Sequence, residues 1–327
     1  MPTSVTIRVP ATSANLGPGF DCLGLALDIW ATITLDTSSP PGADDAMASM
    51  ALIAARRSFE KAGREPPENL SARCEGDIPI ARGLGASAVA RVGGVLAANV
   101  LTGAHTGSRL LDPEDLLAIA ADLEGHADNA APALFGGLQA SVIEPGLPSP
   151  ARAKRGRSLP SPAHGGGAGG EGSFRVLHVA VPLPNGLHAV LFVPDLHMPT
   201  RESRKLLPGH LSRADAVYNI GRAALLVAAL AAGRFDLLDA ATQDRLHQKP
   251  RSKLFPAMFP IFEAAKAAGA HCAYLSGGGS TICALASENQ QGIADAMLEA
   301  ARSRETPGRT IVTKPTDKGA EVVEAVG

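Results

Sequence analysis

The amino-acid sequence predicts an α+β fold with two domains, and three observations lead to that prediction. The chain has 327 residues, which is enough for two domains of ordinary size. Apolar residues make up 45% of the chain, so each domain can bury a core. Segments with strand and helix periodicity are mixed without the regular β-α-β order of a doubly wound sheet, which favours α+β.

Alternating apolar residues predict the strands in the first part of the chain, and apolar residues at helical spacing predict its helices. Asp112 as N-cap and Pro113 at the first helical position mark the start of one helix, and Gly63 marks the end of another. The predicted strands cover 5–10, 26–36 and 70–79, and a turn followed by a strand covers 133–144. The predicted helices cover 46–63, 86–101 and 112–125.

Residues 148–172 differ in composition from the rest of the chain. They are mainly Pro, Gly, Ser and Arg, with hardly an apolar residue, so we expect a flexible loop between domains 1–147 and 173–327. Beyond it, the same periodicities continue. The predicted strands cover 174–182, 188–195 and 309–315, with a strand, Gly turn and strand over 272–286, and the predicted helices cover 213–232 and 259–269.

Charge and cysteine content narrow the class of protein. The net charge of −2 gives no sign of a nucleic-acid or membrane-surface partner. No C-x-x-C pair is present, which indicates reduced thiols rather than a disulfide framework or a zinc site; the cysteines are Cys22, Cys74, Cys272 and Cys283. The N-terminus does not have the pattern of a signal peptide, and the apolar run 223–232 is too short to span a bilayer. These features predict a cytoplasmic protein.

The stretch GLGASAVARVGG, residues 83–94, predicts a tight turn at the start of a buried helix. Gly83 and Gly85 permit positive φ, and the helix from Ala86 begins with free N–H groups and the positive end of its dipole. Together these features are typical of a phosphate site. Gly93 and Gly94 inside the helix indicate close packing against a neighbour. The glycines also match the dinucleotide pattern G-x-G-x-x-A, but the preceding strand is polar and the region near residue 105 is a predicted loop. For the loop taken alone, a turn without a ligand is the default interpretation.

Four stretches together carry a resemblance to a known family. PIARGLGASA (79–88) resembles the phosphate loop P-x-x-x-G-L-G-S-S-A of the GHMP small-molecule kinases. PATSANLGPGFDCLGLAL (10–27), EGHADNAAPALFGG (124–137) and LSGGGSTICAL (275–285) resemble other motifs of that family in the same order. The first and second of these three are typical of the branch that phosphorylates L-homoserine.

The resemblance implies a fold, a reaction and partners. The fold is a ribosomal protein S5 domain 2-like N-terminal domain that binds ATP, followed by a ferredoxin-like C-terminal domain. The implied reaction transfers the γ-phosphoryl group of ATP, with Mg²⁺, to the side-chain hydroxyl of L-homoserine in threonine biosynthesis. The partner is this small molecule, with no nucleic acid or membrane, and the resemblance allows a homodimer.

The resemblance also assigns roles to individual residues. The nucleotide phosphates would lie against Arg82, Gly83, Leu84, Gly85, Ala86, Ser87 and Ala88, and Ser87 and Glu124 would hold Mg²⁺. The amino acid would be bound by Asn15, Asp21, His126, Arg204 and Arg251. The catalytic set is Asn129, Asp128, Glu124 and Ser87, with no proton transfer assigned to Asp128. Gly277, Gly278, Gly279 and Ser280 would form an active-site loop.

The chain departs from the family pattern at a few positions. Ala86 replaces the first Ser of the phosphate loop, Lys249 and Pro250 replace Pro and Tyr before Arg251, and Ser280 replaces Pro. No Asn-Leu-Val stretch precedes the helix near residue 46, so the choice of ATP rests on the resemblance alone. The alternatives are a GHMP kinase for another small alcohol, a catalytically silent ligand-binding relative, and an NAD-dependent oxidoreductase.

Overall fold

The computed structural model describes residues 2–38, 45–106, 110–145 and 174–327. The loop predicted for 148–172 lies outside these residues. In chain order the structure contains β1 (Ser4–Ala14), β2 (Leu23–Asp36), α1 (Ala46–Lys61), β3 (Ser71–Gly76), α2 (Ala86–Thr106), α3 (Pro113–Glu124), α4 (Ala130–Phe135), β4 (Leu138–Pro145), β5 (Phe174–Val181), β6 (His188–Pro194), α5 (Thr200–Lys205), α6 (Arg213–Ala231), α7 (Leu238–Ala241), α8 (Gln248–Arg251), α9 (Met258–Ala267), β7 (Cys272–Leu275), β8 (Ile282–Ala286), α10 (Gln290–Arg302), β9 (Gly308–Thr313) and β10 (Glu321–Val326).

The first sheet has six strands in the order β10-β1-β2-β4-β5, with β3 paired to β2. β1 and β2 pair from Ser4 opposite Asp36 to Ala14 opposite Gly24, with a register shift after Pro10. Pro has no N–H to give to a ladder, which suits a position beside an irregularity. β5 and β10 come from beyond residue 173, so this sheet draws strands from both sides of the segment 148–172. The division into domains 1–147 and 173–327 stays a prediction.

Helix α2 is packed into the first domain at distances that only glycine allows. A Cβ at Gly93 would overlap the side chain of Ile33 in β2, and one at Gly94 would overlap the backbone of Ala51 in α1. The close packing predicted for these two glycines is therefore confirmed. It fixes the direction of α2 and hence the place of its N-terminus.

The second sheet has four strands in the order β7-β8-β6-β9. The chain order of β6, helices, β7, β8, α10 and β9 is the β-α-β-β-α-β pattern of a ferredoxin-like domain. A second apolar core, which includes Phe192, Phe255, Met258 and Leu275, lies between this sheet and its helices. The two-domain α+β prediction is confirmed.

Every strand pairing within the described residues is antiparallel. A dinucleotide-binding fold of the doubly wound type needs parallel strands on either side of a crossover helix, so that alternative is wrong for this chain.

Two helical stretches in the described part of the chain could cross a membrane by length and composition alone. They are Ala86–Gly103 in α2, of which 72% is buried, and Arg213–Ala231, which is α6 and is 22% buried. A core helix passes the same test, so this is weak evidence for a membrane span.

Candidate active site

The loop of residues 82–88, called the glycine loop below, accepts hydrogen bonds from the rest of the protein through its first three carbonyl groups. Gly83 and Gly85 have φ of 80° and 70°. The Arg82 carbonyl accepts a hydrogen bond from Thr281 N at 2.8 Å, the Leu84 carbonyl accepts one from Thr12 N at 3.2 Å, and the Gly83 carbonyl accepts one from Ser276 Oγ at 2.5 Å. These bonds tie the loop to both domains.

The backbone N–H groups of the same loop are left free. In the part of the chain that the structure describes, no oxygen accepts from the N–H of Gly85, Ala86 or Ser87. They stand at the first turn of α2, where the helix dipole is positive. The arrangement is therefore suited to an anion such as a phosphate group.

The side chains of the glycine loop divide between cleft and core. Gly83, Gly85, Ala86 and Ser87 line the cleft described below. Leu84 and Ala88 are buried in the core, and Arg82 donates from Nη2 to the Asp195 carbonyl at 3.0 Å. These last three residues can contribute main-chain atoms or framework contacts there, but their side chains do not line the cleft.

Ser87 and Glu124 bring two oxygen groups together beside the free amides. Ser87 Oγ donates to Glu124 Oε2 at 3.1 Å, because α3 ends at Glu124 next to the first turn of α2. Glu124 also forms an ion pair with Arg91 of α2. A hydroxyl and a carboxylate are hard donors of the kind Mg²⁺ prefers, and both line the cleft, so the residues present fit that ion.

The turn after β1 carries a run of left-handed residues. Asn15, Leu16 and Gly17 have φ of 69°, 47° and 82°, and Asp21 has φ of 58°. Asn15 Nδ2 donates to the Gly277 carbonyl at 2.8 Å, and its Oδ1 accepts from Asp21 N at 3.0 Å. The Asn15 side chain thus holds Asp21 in place and joins this turn to the C-terminal part of the chain.

His126, Asp128 and Asn129 form a hydrogen-bonded cluster after α3. His126 Nδ1 lies 2.5 Å from Asp128 Oδ1, and Asn129 Nδ2 donates to the same oxygen at 3.1 Å. Thr12 Oγ1 donates to Asn129 Oδ1 at 2.8 Å, which fixes the orientation of the amide.

Charge in this cluster follows from the contact between His126 and Asp128. Burial alone would lower the pKa of His126, but the Asp128 carboxylate opposes burial and raises that pKa to about 9. The pKa of Asp128 is lowered, because His126 outweighs the effect of burial. At neutral pH this is an imidazolium next to a carboxylate, and a carboxylate held in this way is a weak base.

Two arginines from different helices reach the cleft. Arg204 of α5 makes a bidentate pair with Asp21, from Nη1 to Oδ2 at 3.0 Å and from Nη2 to Oδ1 at 2.6 Å. Arg251 of α8 is 1% exposed and donates from Nη1 to the Gly277 carbonyl at 3.1 Å. Burial, and then the charge of Arg204, lower the pKa of Arg251 to about 10. Both guanidinium groups remain charged at neutral pH.

A buried histidine holds Arg251 in position. His247 Nε2 donates to the Gly17 carbonyl at 2.7 Å, which leaves Nδ1 to accept from Arg251 Nη1 at 2.9 Å. Burial lowers the pKa of His247 to about 4, so the ring is neutral and can accept that bond. The Asp244 carboxylate accepts from the N–H groups of Leu246, His247 and Gln248, which shapes the start of α8. Arg251 reaches the cleft although Lys249 and Pro250 depart from the family pattern.

The loop of residues 277–280, called the Gly277 loop below, is divided in the same way as the glycine loop. Gly277, Gly278 and Gly279 line the cleft. Ser280 is buried and donates from Oγ to the Leu196 carbonyl at 2.5 Å. Ser280 therefore supports the loop from behind and does not face a ligand.

One cleft brings most of the predicted residues together. Its lining includes Asn15, Asp21, Gly83, Gly85, Ala86, Ser87, Glu124, His126, Asp128, Asn129, Arg204, Arg251, Gly277, Gly278 and Gly279. Thr200, Met50, Ile80 and Ala81 also line it and were not predicted. Thr200 and the supporting His247 lie four residues before the predicted Arg204 and Arg251, so proximity in sequence could have indicated them. Apolar Met50 and Ile80 carry no such signal.

Comparison with known proteins agrees with this geometry. The family model of the GHMP kinases N terminal domain matches residues 46–137, and that of the GHMP kinases C terminal domain matches 226–303. These matches define the class of protein: a two-domain GHMP kinase, and hence a small-molecule kinase that uses ATP.

The relatives define the family within that class. The homoserine kinase of Moorella thermoacetica is 37% identical over 97% of this chain and 99% of its own length. That of Symbiobacterium thermophilum is 42% identical over 77% of this chain and 74% of its own length. The crystal structure of homoserine kinase from Cytophaga hutchinsonii superposes with a TM-score of 0.78 at 27% identity, covering 99% of this chain and 98% of that one. The chain belongs to the homoserine kinase family.

Proposed function

We propose that this chain transfers the γ-phosphoryl group of ATP to the side-chain hydroxyl of L-homoserine and releases O-phospho-L-homoserine for threonine biosynthesis. One observation carries the proposal. The free amides at the start of α2 and the side chains able to bind an amino acid line the same cleft.

The glycine loop provides the phosphate end of the cleft. The N–H groups of Gly85, Ala86 and Ser87 would donate to phosphate oxygens, aided by the dipole of α2. Ser87 Oγ and the Glu124 carboxylate would hold Mg²⁺. When bound, the ion neutralises charge on the phosphates.

A second group of residues lining the cleft provides the amino-acid end. Arg204 and Arg251 come from separate helices, and two guanidinium groups make a geometry-selective site for one carboxylate. Asp21 and Asn15 would bind the ammonium group, and His126 and Asn129 face the same space.

The reaction needs little base catalysis in this site. The homoserine hydroxyl oxygen forms a bond to the γ-phosphorus while the bond to the β,γ-bridging oxygen breaks, and the hydroxyl proton is lost to solvent. The lowered pKa of Asp128, caused by His126 against the effect of burial, makes this carboxylate a poor proton acceptor. Positioning and neutralisation of charge supply most of the rate in such a transfer.

A coupled ADP-release assay tests the proposal, with L-homoserine, L-serine, L-threonine and mevalonate as acceptors and Mg²⁺ present or omitted. We expect Mg²⁺-dependent ADP release with L-homoserine far above the other three. Faster turnover of another alcohol would make the chain a GHMP kinase of different specificity. No turnover with any acceptor, together with retained ligand binding, would make it a catalytically silent relative.

The proposal places the chain in the cytoplasm, acting on a small molecule without a nucleic-acid or membrane partner. The four free cysteines support the cytoplasm, and the net charge of −2 gives no sign of a nucleic-acid or membrane-surface partner. A homodimer is part of the same expectation, and sedimentation equilibrium measures it.

A further inference from the structure

The two charged groups proposed for the amino acid are bound to each other in this structure. Both guanidinium Nη atoms of Arg204 donate to the two carboxylate oxygens of Asp21, at 3.0 Å and 2.6 Å. This is the bidentate geometry in which an arginine and a carboxylate interact most strongly. The side chain proposed to bind the ligand carboxylate and the side chain proposed to bind its ammonium group are therefore paired with each other, and a ligand must break this pair to bind both.

Each partner is held so that the contact forms. Asp21 is fixed by its left-handed backbone and by the bond from its N–H to Asn15 Oδ1. Arg204 also lies over the ring of Phe20, with its Cζ 5.2 Å from the ring centroid. The side chains of Arg204 and Asp21 are 35% and 32% exposed, so solvent screens the contact only in part.

The surroundings replace only part of what each group loses when this contact breaks. Asp128 and Glu124 in the same cleft are already paired with His126 and Arg91, and the charges of His126 and Arg251 also act on Asp21. None of these contacts replaces the two direct hydrogen bonds from Arg204. Arg204 acts on Arg251 strongly enough to contribute to the lowered pKa of that residue, after burial. Without Asp21, Arg204 would face that second guanidinium and would keep only the more distant charges of Asp128 and Glu124.

The free-energy cost of breaking the Asp21–Arg204 ion pair therefore depends on whether the ligand carries one charge or both. A ligand with a carboxylate but no ammonium group binds Arg204 and leaves Asp21 without its ion-pair partner. A ligand with an ammonium group but no carboxylate binds Asp21 and leaves Arg204 without its ion-pair partner. A zwitterion replaces the Asp21–Arg204 pair with two new ion pairs, one from its carboxylate to Arg204 and one from its ammonium group to Asp21, so neither side chain is left unpaired.

We propose that the Asp21–Arg204 ion pair is a specificity device, which opens only for a ligand that carries an ammonium and a carboxylate group together. The proposal rests on the proposed function, because it takes an amino acid as the substrate. The proposal goes beyond a direct contact with the substrate, because Asp21 then lowers the affinity for ligands that carry only a carboxylate as well as binding the zwitterion.

Two analogues of homoserine provide the probes. 4-Hydroxybutyrate lacks the amino group, and 3-amino-1-propanol lacks the carboxylate. Calorimetry of the wild-type protein should show weak binding of both compared with L-homoserine. In Asp21→Asn the guanidinium is released, so we expect 4-hydroxybutyrate to bind about tenfold more tightly than to wild type, while L-homoserine binds more weakly.

Two control variants separate release of Arg204 from a general change of charge. Glu124→Gln removes a carboxylate from the same cleft without releasing Arg204, because Glu124 is paired with Arg91, so it should tighten 4-hydroxybutyrate much less. Glu202→Gln makes the same chemical change in an exposed pair with Lys205 on the same helix, and it should leave both affinities unchanged. Equal tightening in Glu124→Gln and Asp21→Asn, or none in Asp21→Asn, overturns the proposal.

A crystal structure with L-homoserine bound gives an independent result. The Asp21–Arg204 contact should be broken, with each group on the ligand, and an intact bidentate contact overturns the proposal. Turnover of L-homoserine by the wild-type enzyme separates the two failures. If turnover is present and Asp21→Asn does not tighten 4-hydroxybutyrate, the specificity device fails alone, whereas absent turnover removes the proposed function and this inference with it.

Discussion

Replacing Gly83 by Ala tests how tightly the glycine loop is built into the protein. Gly83 has φ of 80°, and a Cβ there would overlap the Ser276 carbonyl and lie 3.0 Å from the Gly279 carbonyl. Both obstacles are backbone atoms, so neither can turn aside as a flexible side chain does. The loop itself must move.

The expected cost has two parts. A non-glycine residue in the left-handed region costs about 1–2 kcal/mol. Moving the loop breaks the bonds from Ser276 Oγ to the Gly83 carbonyl and from Thr281 N to the Arg82 carbonyl. At about 1 kcal/mol each, they bring the loss of unfolding free energy to about 3–4 kcal/mol.

Gly186→Ala is the matched control, because Gly186 has φ of 87° and nothing lies within 4 Å of its Cβ position. It should lose only the conformational part, about 1–2 kcal/mol. The effect of the added methyl on the unfolded chain is the same in both variants and cancels in the comparison.

Urea unfolding measures the stability loss, and steady-state kinetics measures KM for ATP. We expect Gly83→Ala to raise KM for ATP about tenfold or more, because the free amides move with the loop, and Gly186→Ala to leave it unchanged. Equal stability losses with an unchanged KM for ATP would refute the account of this loop.

Three further predictions concern single residues around the cleft. The pKa of His126 is raised from 6.5 to about 9, by Asp128 against the effect of burial, so its stabilising contribution is complete below pH 6.5 and is lost as pH rises through 9. The difference in unfolding free energy between wild type and His126→Gln should therefore shrink by about 3 kcal/mol over that window, and a difference independent of pH would contradict it. His247→Phe leaves the Gly17 carbonyl without its donor and removes one acceptor from Arg251, so KM for L-homoserine should rise about tenfold with KM for ATP unchanged; a parallel rise in both would argue for general damage. Ala86→Ser restores a hydroxyl at the first turn of α2 and should lower KM for ATP about fivefold, and an unchanged or higher KM would show that the hydroxyl does not reach a phosphate.

The fold was largely predictable where periodicity is strong and poorly predictable elsewhere. β6 and α2 are marked by continuous apolar residues, and both lie close to the predicted ranges. α10 was missed although its buried residues recur at helical spacing, so its periodicity was a usable signal; they are Ile293, Ala294, Met297 and Ala301. β10 was missed because most of its residues are exposed, and pairing with β1 stabilises it as a strand.

The site shows the same division between local pattern and long-range contact. The motifs identify the groups, but the contact of the Gly83 carbonyl with Ser276 Oγ spans 193 positions and that of Asp21 with Arg204 spans 183. Such contacts are set by the packing of the two domains and leave no local pattern in the sequence. A motif also does not show which of its side chains face a ligand: Ser280 belongs to one and yet is buried in the interior.

The central claim is that phosphate amides and amino-acid groups share one cleft in an orientation that permits transfer. A crystal structure with L-homoserine and a non-hydrolysable ATP analogue tests it most directly. We expect the hydroxyl oxygen about 3–3.5 Å from the γ-phosphorus and opposite its leaving oxygen. A hydroxyl pointing away from the glycine loop, or a triphosphate bound elsewhere, would contradict the claim.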